Sequence, residues 1–280
     1  WEKVFKERGI EAKVGAQERI RPLGKADNWW EPDGGGPCGP DSEIFFDMGG
    51  ELVELGNNVF MEYLKESDQY KPLGRHNVDF GGGLDRLAMI SQGVDSVYET
   101  DIYKPIYEEV RSLSKEEVIR SQRIITDHIK AATWIIADGV VPGRTQREYI
   151  LRRLIRRAIR HGRILGIEGA FTRQVGEIAI TQFAPVHPDL EAKREQILQT
   201  LVEEEEKFNQ TIERGLREFE KIFSTYENKE FTNQNAETFT LYETYGFPLE
   251  ISLEELNSKG MQVDEEIVKQ RHESAFKQHQ

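Results

Sequence analysis

The feature that most constrains the fold is a change in the period of the apolar residues at three consecutive glycines, 81–83. Before them, short apolar runs at 43–47, 51–55 and 58–63 alternate with glycine, proline and asparagine, a pattern typical of short strands in one sheet. After them, apolar residues recur at helical spacing between residues 84 and 90. The glycines are therefore predicted to end a strand and to begin a helix.

The same glycine stretch, residues 77–87, is also a candidate ligand-binding segment. Glycine allows the backbone to approach a ligand closely, at an entropic cost that a purely structural segment rarely accepts three times in succession. Arg86 is suited to a phosphate and Asp79 to an amine. The alternative is a tight structural loop that joins a strand to a helix, and the stretch by itself does not decide between the two.

Length, charge and cysteine content exclude several classes of protein. The chain of 280 residues is long enough for two or three domains. Its net charge of -13 argues against a protein that coats nucleic acid indiscriminately, although a local basic surface remains compatible with it. One cysteine excludes an internal disulfide framework, and the absence of a long apolar run or a signal-like start argues against membrane and secreted proteins. A cytoplasmic location is therefore predicted.

Beyond about residue 101 the chain is predicted to be helical. A capping box at 114–117 predicts a helix that runs to Gly139. A second helix is predicted at about 145–162, and a long one from Pro188 to about 227. By contrast, the segment 29–40 is rich in glycine and proline and is predicted to be an ordered loop without regular structure.

The second of these helices separates apolar residues from arginines. Leu151, Leu154, Ile155, Ala158 and Ile159 share one face, and the opposite face carries Arg152, Arg153, Arg156, Arg157, Arg160 and Arg163. Arginine without lysine favours bidentate contacts with phosphates or carboxylates. Nucleic acid is the favoured partner, pairing with acidic residues elsewhere in the chain is the second interpretation, and a membrane-surface helix is the third.

Other candidate sites are weak. The six histidines show no metal-ligand spacing and Cys38 has no partner cysteine, so no metal site and no structural zinc are predicted. His128 is interpreted as a packing residue, and Cys38 as a small packed residue rather than a nucleophile. No Walker A or dinucleotide-binding motif is present.

Taken together, five stretches resemble alanyl-tRNA synthetases, a family of class II aminoacyl-tRNA synthetases, in the family's order and over nearly the whole chain. The stretches are 28–44 with its Gly-Pro-Cys-Gly-Pro signature, 57–63, the glycine stretch 77–87, the helical segments 127–140 and 160–163, and 239–248. The resemblance identifies the glycine stretch with the third signature motif of class II synthetases.

The resemblance implies that alanine attacks the α-phosphate of ATP, bound with Mg2+, and that the alanyl group then passes to the 3′ end of tRNA. It implies catalytic roles for Asp79, which would hold the alanine ammonium, and Arg86, which would meet the ATP phosphates. The remaining implied contacts with alanine or ATP come from Trp30, Asn57, Val59, Gly81 and Gly83. Phe80 stands where the family has threonine and is expected to affect the fit of the alanine pocket.

The resemblance also implies that the arginine helix grips the acceptor stem of tRNA, which the family selects by a G·U wobble pair. Glu243 stands where the family has a recognition aspartate, and Gln146 is the stand-in for a recognition asparagine. The full set of implied tRNA-binding residues is Gln146, Arg147, Arg152, Arg153, Arg156, Arg157, Arg160 and Glu243.

The implied fold is α+β, with the C-terminal part of an antiparallel class II catalytic domain at 1–104, a helical tRNA-recognition domain at 105–229 and a small α/β extension at 230–280. The chain starts without methionine, and neither the first two class II motifs nor an editing domain is visible in it. It is therefore expected to be inactive alone and to be completed by residues in the same or another chain. A non-catalytic RNA-binding module is the alternative, and an acidic protein-interaction domain is a third interpretation.

Overall fold

A computed structural model describes residues 1–67, 69–223, 237–245, 247–258 and 270. The chain divides into two compact units, Trp1–Tyr103 and a second unit that begins at Lys104. The first contains a four-stranded antiparallel sheet and the second is helical where it is described, so the predicted α+β class is confirmed. The sequence-based domain bounds stay predictions.

The first unit is built around its sheet, in which the strands lie in the order of the chain, β1-β2-β3-β4. Its elements are helix α1 (Glu2–Glu7), strands β1 (Trp29–Trp30), β2 (Gly36–Asp47), β3 (Leu52–Glu66) and β4 (Gln69–Gly82), helix α2 (Leu84–Gln92) and a 3-10 turn at Val97–Glu99. The predicted runs 51–55 and 58–63 form the single strand β3. The prediction that the glycines end a strand and begin a helix is confirmed, because β4 ends at Gly82 and α2 begins at Leu84.

The segment 29–40 was predicted to lack regular structure, and that prediction is wrong for residues 29–30 and 36–40. They form β1 and the first five residues of β2, with Trp29 opposite Pro40 and Trp30 opposite Gly39, whereas residues 31–35 lack regular structure as predicted. Pro40 is tolerated because the ladder between β2 and β3 shifts register between Cys38 and Asp41. Gly39 is needed at this irregularity, since a Cβ there would lie 1.9 Å from the carbonyl oxygen of Phe60.

The second unit is a set of helices around one apolar core. The helices are α3 (Lys104–Leu113), α4 (Ile119–Ala137), α5 (Gln146–Ile164), α6 (Thr172–Phe183), α7 (Pro188–Ala192), α8 (Arg194–Phe223), α9 (Glu237–Tyr245) and α10 (Leu249–Ser258). The predicted apolar face of α5 lies in this core, with Leu151, Ile155, Ala158 and Ile159 buried. No helix in the described ranges combines the length and the hydrophobicity needed to cross a membrane.

Two helix boundaries differ from the predictions. The capping box at 114–117 is wrong, because the Ser114 hydroxyl donates back to the Val110 carbonyl of α3 and α4 begins only at Ile119. The predicted long helix from Pro188 is interrupted at Lys193, which separates α7 from α8. Both errors have one cause. Capping motifs and apolar periodicity describe one segment of the chain, and they do not reveal the contacts that the end of a helix makes with neighbouring elements.

Candidate functional site

Most of the predicted substrate-binding residues of the sheet lie on one of its faces. In the register, Val59 of β3 lies between Asp41 of β2 and Asp79 of β4, and Asn57 lies between Glu43 and Gly81. Directly opposite residues of antiparallel strands point to the same side of a sheet. These six residues define what we call the site face: Asp41, Glu43, Asn57, Val59, Asp79 and Gly81.

The site face combines a buried apolar floor with an open edge. Val59 is only 6% exposed and forms the floor. Asp79 is exposed on the edge strand β4, where its Oδ1 accepts a hydrogen bond of 2.9 Å from the backbone amide of Phe80. A Cβ at Gly81 would meet nothing within 4 Å, so this glycine leaves free space above the sheet. The edge therefore offers a carboxylate beside room for a small ligand.

Asn57 and Asp41 form a polar pair in the middle of the site face. The Asn57 Nδ2 donates a hydrogen bond of 2.8 Å to the Asp41 Oδ2. The Oδ1 atoms of both side chains are buried and have no hydrogen-bond partner in the described part of the chain. Unpartnered buried acceptors are uncommon and costly, so they point to a ligand that supplies donors.

The electrostatics of the site face favour a positively charged ligand. The pKa of Glu43 is raised, first by burial and then by the negative charges of Glu54, Asp41 and Asp27. The second of these causes means that several negative charges lie near the Glu43 carboxyl group. An ammonium group would relieve this repulsion.

Arg86 and Trp30 do not belong to the register of the site face. Arg86 extends from α2 and donates through Nη1 to the Glu54 carbonyl at 2.8 Å and to the Glu54 carboxylate at 3.2 Å. Both contacts use Nη1, and about half of the side chain is exposed, so an anionic ligand has access to the guanidinium. Gly83 makes room for Arg86, because a Cβ there would lie 3.2 Å from the arginine Cδ. Trp30 is 40% exposed and lies opposite Gly39.

Phe80, which was expected to affect the alanine pocket, does not lie on the site face. Phe80 lies opposite Asn58 in the register, so its side chain points to the other face of the sheet from Asp79. Gly56 and Gly82 make space for its ring there, since Cβ atoms on these residues would lie 2.7 and 2.9 Å from the ring. Two of the three consecutive glycines therefore lie on different faces of the sheet: Gly81 lies on the site face, and Gly82 lies beneath the Phe80 ring on the opposite face.

Cys38 is buried, as its interpretation as a packing residue predicted. Burial, followed by the negative charge of Glu31, raises the pKa of its thiol, which disfavours the nucleophilic thiolate. Within the described ranges, no group of three or more His, Cys, Asp or Glu residues is arranged to hold a metal ion.

The arginines of α5 divide into two groups by their contacts. Arg147, Arg153 and Arg157 are exposed, whereas Arg152 and Arg160 are half-buried. Among the described residues neither Arg153 nor Arg157 has an ion-pair partner. Arg156 differs, because its Nε donates to the buried Glu204 carboxylate of α8 at 2.6 Å and its guanidinium lies 4.9 Å from the centre of the Phe208 ring. Arg156 therefore fits the second interpretation of this helix, in which an arginine pairs with an acidic residue elsewhere in the chain.

Positive charges lie close together along α5. The pKa of Arg152 is lowered, first by burial and then by Arg156. His161 is 8% exposed and bonded through Nδ1 to the Ser121 hydroxyl of α4 at 3.0 Å. Burial, followed by the charges of Arg160 and Arg157, lowers the pKa of His161 to about 4. Such an environment is favourable for an anion at the surface of α5.

The two remaining predicted tRNA contacts lie at helical positions. Gln146 begins α5 with a φ of 44°, a left-handed conformation that is uncommon for residues other than glycine. Strained backbone of this kind concentrates at functional sites. Glu243 lies in α9, but its side chain is outside the described residues.

Sequence reasoning missed Asp41 and His161. Asp41 and Glu43 are two residues apart in a strand, and this spacing would have placed both on the face of Asn57 once the register was known. His161 follows Ala158 by three residues and continues the apolar stripe of α5, which would have predicted its burial.

Comparison with known proteins assigns the sequence to one family. The sequence matches the tRNA synthetases class II (A) over residues 7–280. It is 40% identical to the alanine–tRNA ligase of Treponema pallidum (strain Nichols) over 290 positions, which cover 95% of this chain and 47% of that protein.

Two further relatives show the same pattern of coverage. Alanine–tRNA ligase 1 of Lachnoclostridium phytofermentans is 41% identical over 277 positions, covering 90% of this chain and 31% of that protein. The chloroplastic/mitochondrial alanine–tRNA ligase of Oryza sativa subsp. indica is 38% identical over 89% of this chain and 28% of its own length. The chain therefore spans less than half the length of these curated relatives.

Proposed function

The chain belongs to the class II (A) tRNA synthetases, and from that premise we propose that it is part of an alanine–tRNA ligase. Its sheet would carry one side of the site where alanine and Mg-ATP react, and its helical unit would bind the acceptor stem of tRNA. The relatives that support alanine as the amino acid are all named alanine–tRNA ligases. The structural observation that carries the proposal is the site face, with Asn57, Val59 and Asp79 together on one side of the sheet.

In the first reaction step, a carboxylate oxygen of alanine bonds to the α-phosphorus of ATP and pyrophosphate leaves. The Asp79 carboxylate would hold the ammonium of alanine, and the Asn57 amide would add a second polar contact. Arg86 would interact with the ATP phosphates, where a fixed positive charge stabilises the charge that develops as pyrophosphate departs. In the second step, a terminal ribose hydroxyl of tRNA attacks the carbonyl carbon of the adenylate, and AMP leaves.

The site face also limits the size of the amino acid. Val59 provides an apolar floor of small extent, and Trp30 would close the pocket from the side. A pocket of this kind distinguishes substrates that differ by one methyl group by about 10- to 200-fold. Alanine should therefore be preferred over glycine, but not absolutely.

Amino-acid-dependent exchange of pyrophosphate into ATP tests the proposed activity. We expect the protein as its gene encodes it to support exchange with alanine and to prefer alanine over glycine by about 10- to 200-fold in kcat/KM. The assay should be repeated with serine and valine, whose side chains are larger than that of alanine. Faster exchange with any of these amino acids, or none with alanine, would contradict the proposed function.

The helical unit is proposed to bind tRNA through the exposed side of α5. Arg153 and Arg157 carry the proposal, because they are exposed and have no ion-pair partner in the described part of the chain. Arg147, Arg152 and Arg160 would extend the same surface, while Gln146 and Glu243 are the proposed recognition residues. Double-stranded RNA is recognised mainly through its backbone, its 2′-hydroxyls and its shape, which suits a helix lined with arginine. Arg156 would contact tRNA only by giving up Glu204.

Salt dependence of binding tests this surface. Replacing Arg153 and Arg157 together by alanine should reduce the slope of log K for tRNA against log salt by about 1.4 to 1.8, since each lost phosphate contact removes about 0.7 to 0.9. Filter binding or fluorescence anisotropy across a salt series measures this slope. Arg217→Ala removes one positive charge from an exposed position on α8 and should leave the slope unchanged.

Arg156→Ala is the informative third variant of this set. It leaves the Glu204 carboxylate buried without its partner, so it should lower the free energy of unfolding by about 3 kcal/mol. An unchanged slope in the double variant would remove α5 from the tRNA interface. If Arg156→Ala instead keeps its stability and reduces the slope, Arg156 is one of the residues that contact tRNA.

A further inference from the structure

The side-chain amide of Asn57 has two orientations of nearly identical shape, and they present opposite chemistry to a ligand. In one the oxygen faces the ligand and accepts a hydrogen bond, and in the other the nitrogen faces it and donates. Asp41 decides between them, because an ionised carboxylate has only acceptors and therefore requires the Asn57 Nδ2 at its side. The bond of 2.8 Å between Nδ2 and the Asp41 Oδ2 has this arrangement.

The orientation that results leaves the Asn57 oxygen available. Its Oδ1 is buried and accepts no hydrogen bond from any described residue. Across the register, Asn57 lies opposite Gly81, which leaves free space on the site face. A ligand that enters this space with a donor could therefore bond to the Asn57 Oδ1.

The two acceptors of the site face suit one kind of ligand group. The Asp79 carboxylate lies on the same face, one opposed pair further along β3 and β4. An ammonium has three donors and no acceptor, so it can bond to the Asp79 carboxylate and to the Asn57 oxygen together. An Asn57 nitrogen in the same place would repel it.

We propose that Asp41 is a positioning residue for amino-acid activation: it holds the Asn57 amide with its oxygen toward the substrate and so makes Asn57 an acceptor for the substrate ammonium. This inference rests on the proposed function, which makes an amino acid the ligand. In this scheme Asp41 acts on the substrate ammonium through the orientation of Asn57. A direct contact from its own unpartnered Oδ1 is the competing explanation, and the variants below distinguish the two.

Two variants separate this role from a direct contact or a general effect of charge. Asp41→Ala removes the acceptor and frees the amide to turn. Asp41→Asn removes the negative charge but retains an oxygen that can accept from the Asn57 Nδ2. A positioning role therefore requires rescue by asparagine, whereas a direct ionic contact between Asp41 and the ammonium requires that asparagine fail as alanine does.

The kinetic experiment is pyrophosphate exchange with the protein as its gene encodes it. Asp41→Ala should raise KM for alanine about tenfold, whereas Asp41→Asn should raise it less than threefold. KM for ATP should stay within twofold of the unsubstituted protein in both variants. An unchanged KM for alanine in Asp41→Ala, an equal rise in both KM values, or the same loss in both variants would overturn the proposal.

A second measurement is independent of catalysis. The side-chain amide protons of Asn57, followed by nitrogen-edited NMR in D2O, should exchange slowly in the unsubstituted protein and at least tenfold faster in Asp41→Ala. Equal exchange rates would overturn the orienting role even if alanine-dependent activity is present. Exchange of pyrophosphate driven by another amino acid would overturn only the proposed function, and the Asp41 variants would then be tested with that amino acid.

Discussion

Alanine in place of Asp79 is expected to lower kcat/KM for alanine-dependent pyrophosphate exchange by about 100- to 1000-fold. The substitution removes the carboxylate of the site face that lies beside the free space at Gly81. Loss of a charge-assisted bond that leaves its partner unpaired costs about 3 to 4 kcal/mol, which corresponds to this range. Asp79 is exposed at a sheet edge, so the free energy of unfolding should change by less than about 0.5 kcal/mol.

The assay for Asp79 needs a conservative variant and a matched control. Asp79→Asn keeps the shape and one acceptor but loses the charge, and its activity should lie between that of the alanine variant and the unsubstituted protein. Asp95→Ala removes an exposed acid just beyond α2 and should leave the exchange rate unchanged. Full activity in Asp79→Ala would remove the ammonium contact from the mechanism. A large fall in its unfolding midpoint would assign the residue a structural role instead.

Local sequence pattern predicted those parts of the fold that depend on neighbours along the chain. The end of β4 at Gly82 and the buried face of α5 both follow from the spacing of apolar residues, which reports side-chain direction within one element. The use of 36–40 as a strand does not follow from it. That segment pairs with β1 and β3, and a register shift accommodates Pro40. Long-range pairing therefore overrode local propensity.

The candidate site depends even more on register. A shift of one residue would move Asn57, Val59 and Asp79 to the opposite face, so the site exists only because three strands pair as they do. Sequence resemblance named these residues and singled out Gly81 and Gly83, but it did not reveal that Gly82 lies beneath the Phe80 ring on the opposite face. The pair Asp41 and Asn57 is separated by 16 residues of chain and follows no periodicity that a sequence reveals.

The arginines of α5 illustrate the same limit in a helix. Helical periodicity placed them on one face, which the structure largely retains. It does not reveal that Arg156 is neutralised by Glu204, because the acid comes from another helix. Spacing along one helix predicts which residues share a face, whereas the partners on the opposing helix decide which of them remain available to a ligand.

Acidification is expected to destabilise the helical unit through His161. The pKa of His161 is lowered from 6.5 to about 4 by burial and by the charges of Arg160, Arg157, His128 and Arg120. Between these two pKa values the unfolded chain binds a proton that the folded chain does not bind. The free energy of unfolding should therefore be undiminished above about pH 6.5, fall as the pH drops toward 4, and lose up to about 3 kcal/mol from this residue.

Urea unfolding of the unsubstituted protein and of His161→Asn, followed by far-UV circular dichroism at several pH values, measures this contribution. Asparagine retains a polar partner for the Ser121 hydroxyl but does not titrate, so its curve should depend less on pH between 6.5 and 4. Other groups titrate in this range, including Glu205, whose pKa is raised mainly by burial and whose contribution has the opposite sign. The difference between the two proteins, rather than either curve alone, isolates His161. His187→Asn, at an exposed histidine of the same unit, should keep the original pH dependence, and equal slopes for all three proteins would show that His161 is not the group that titrates.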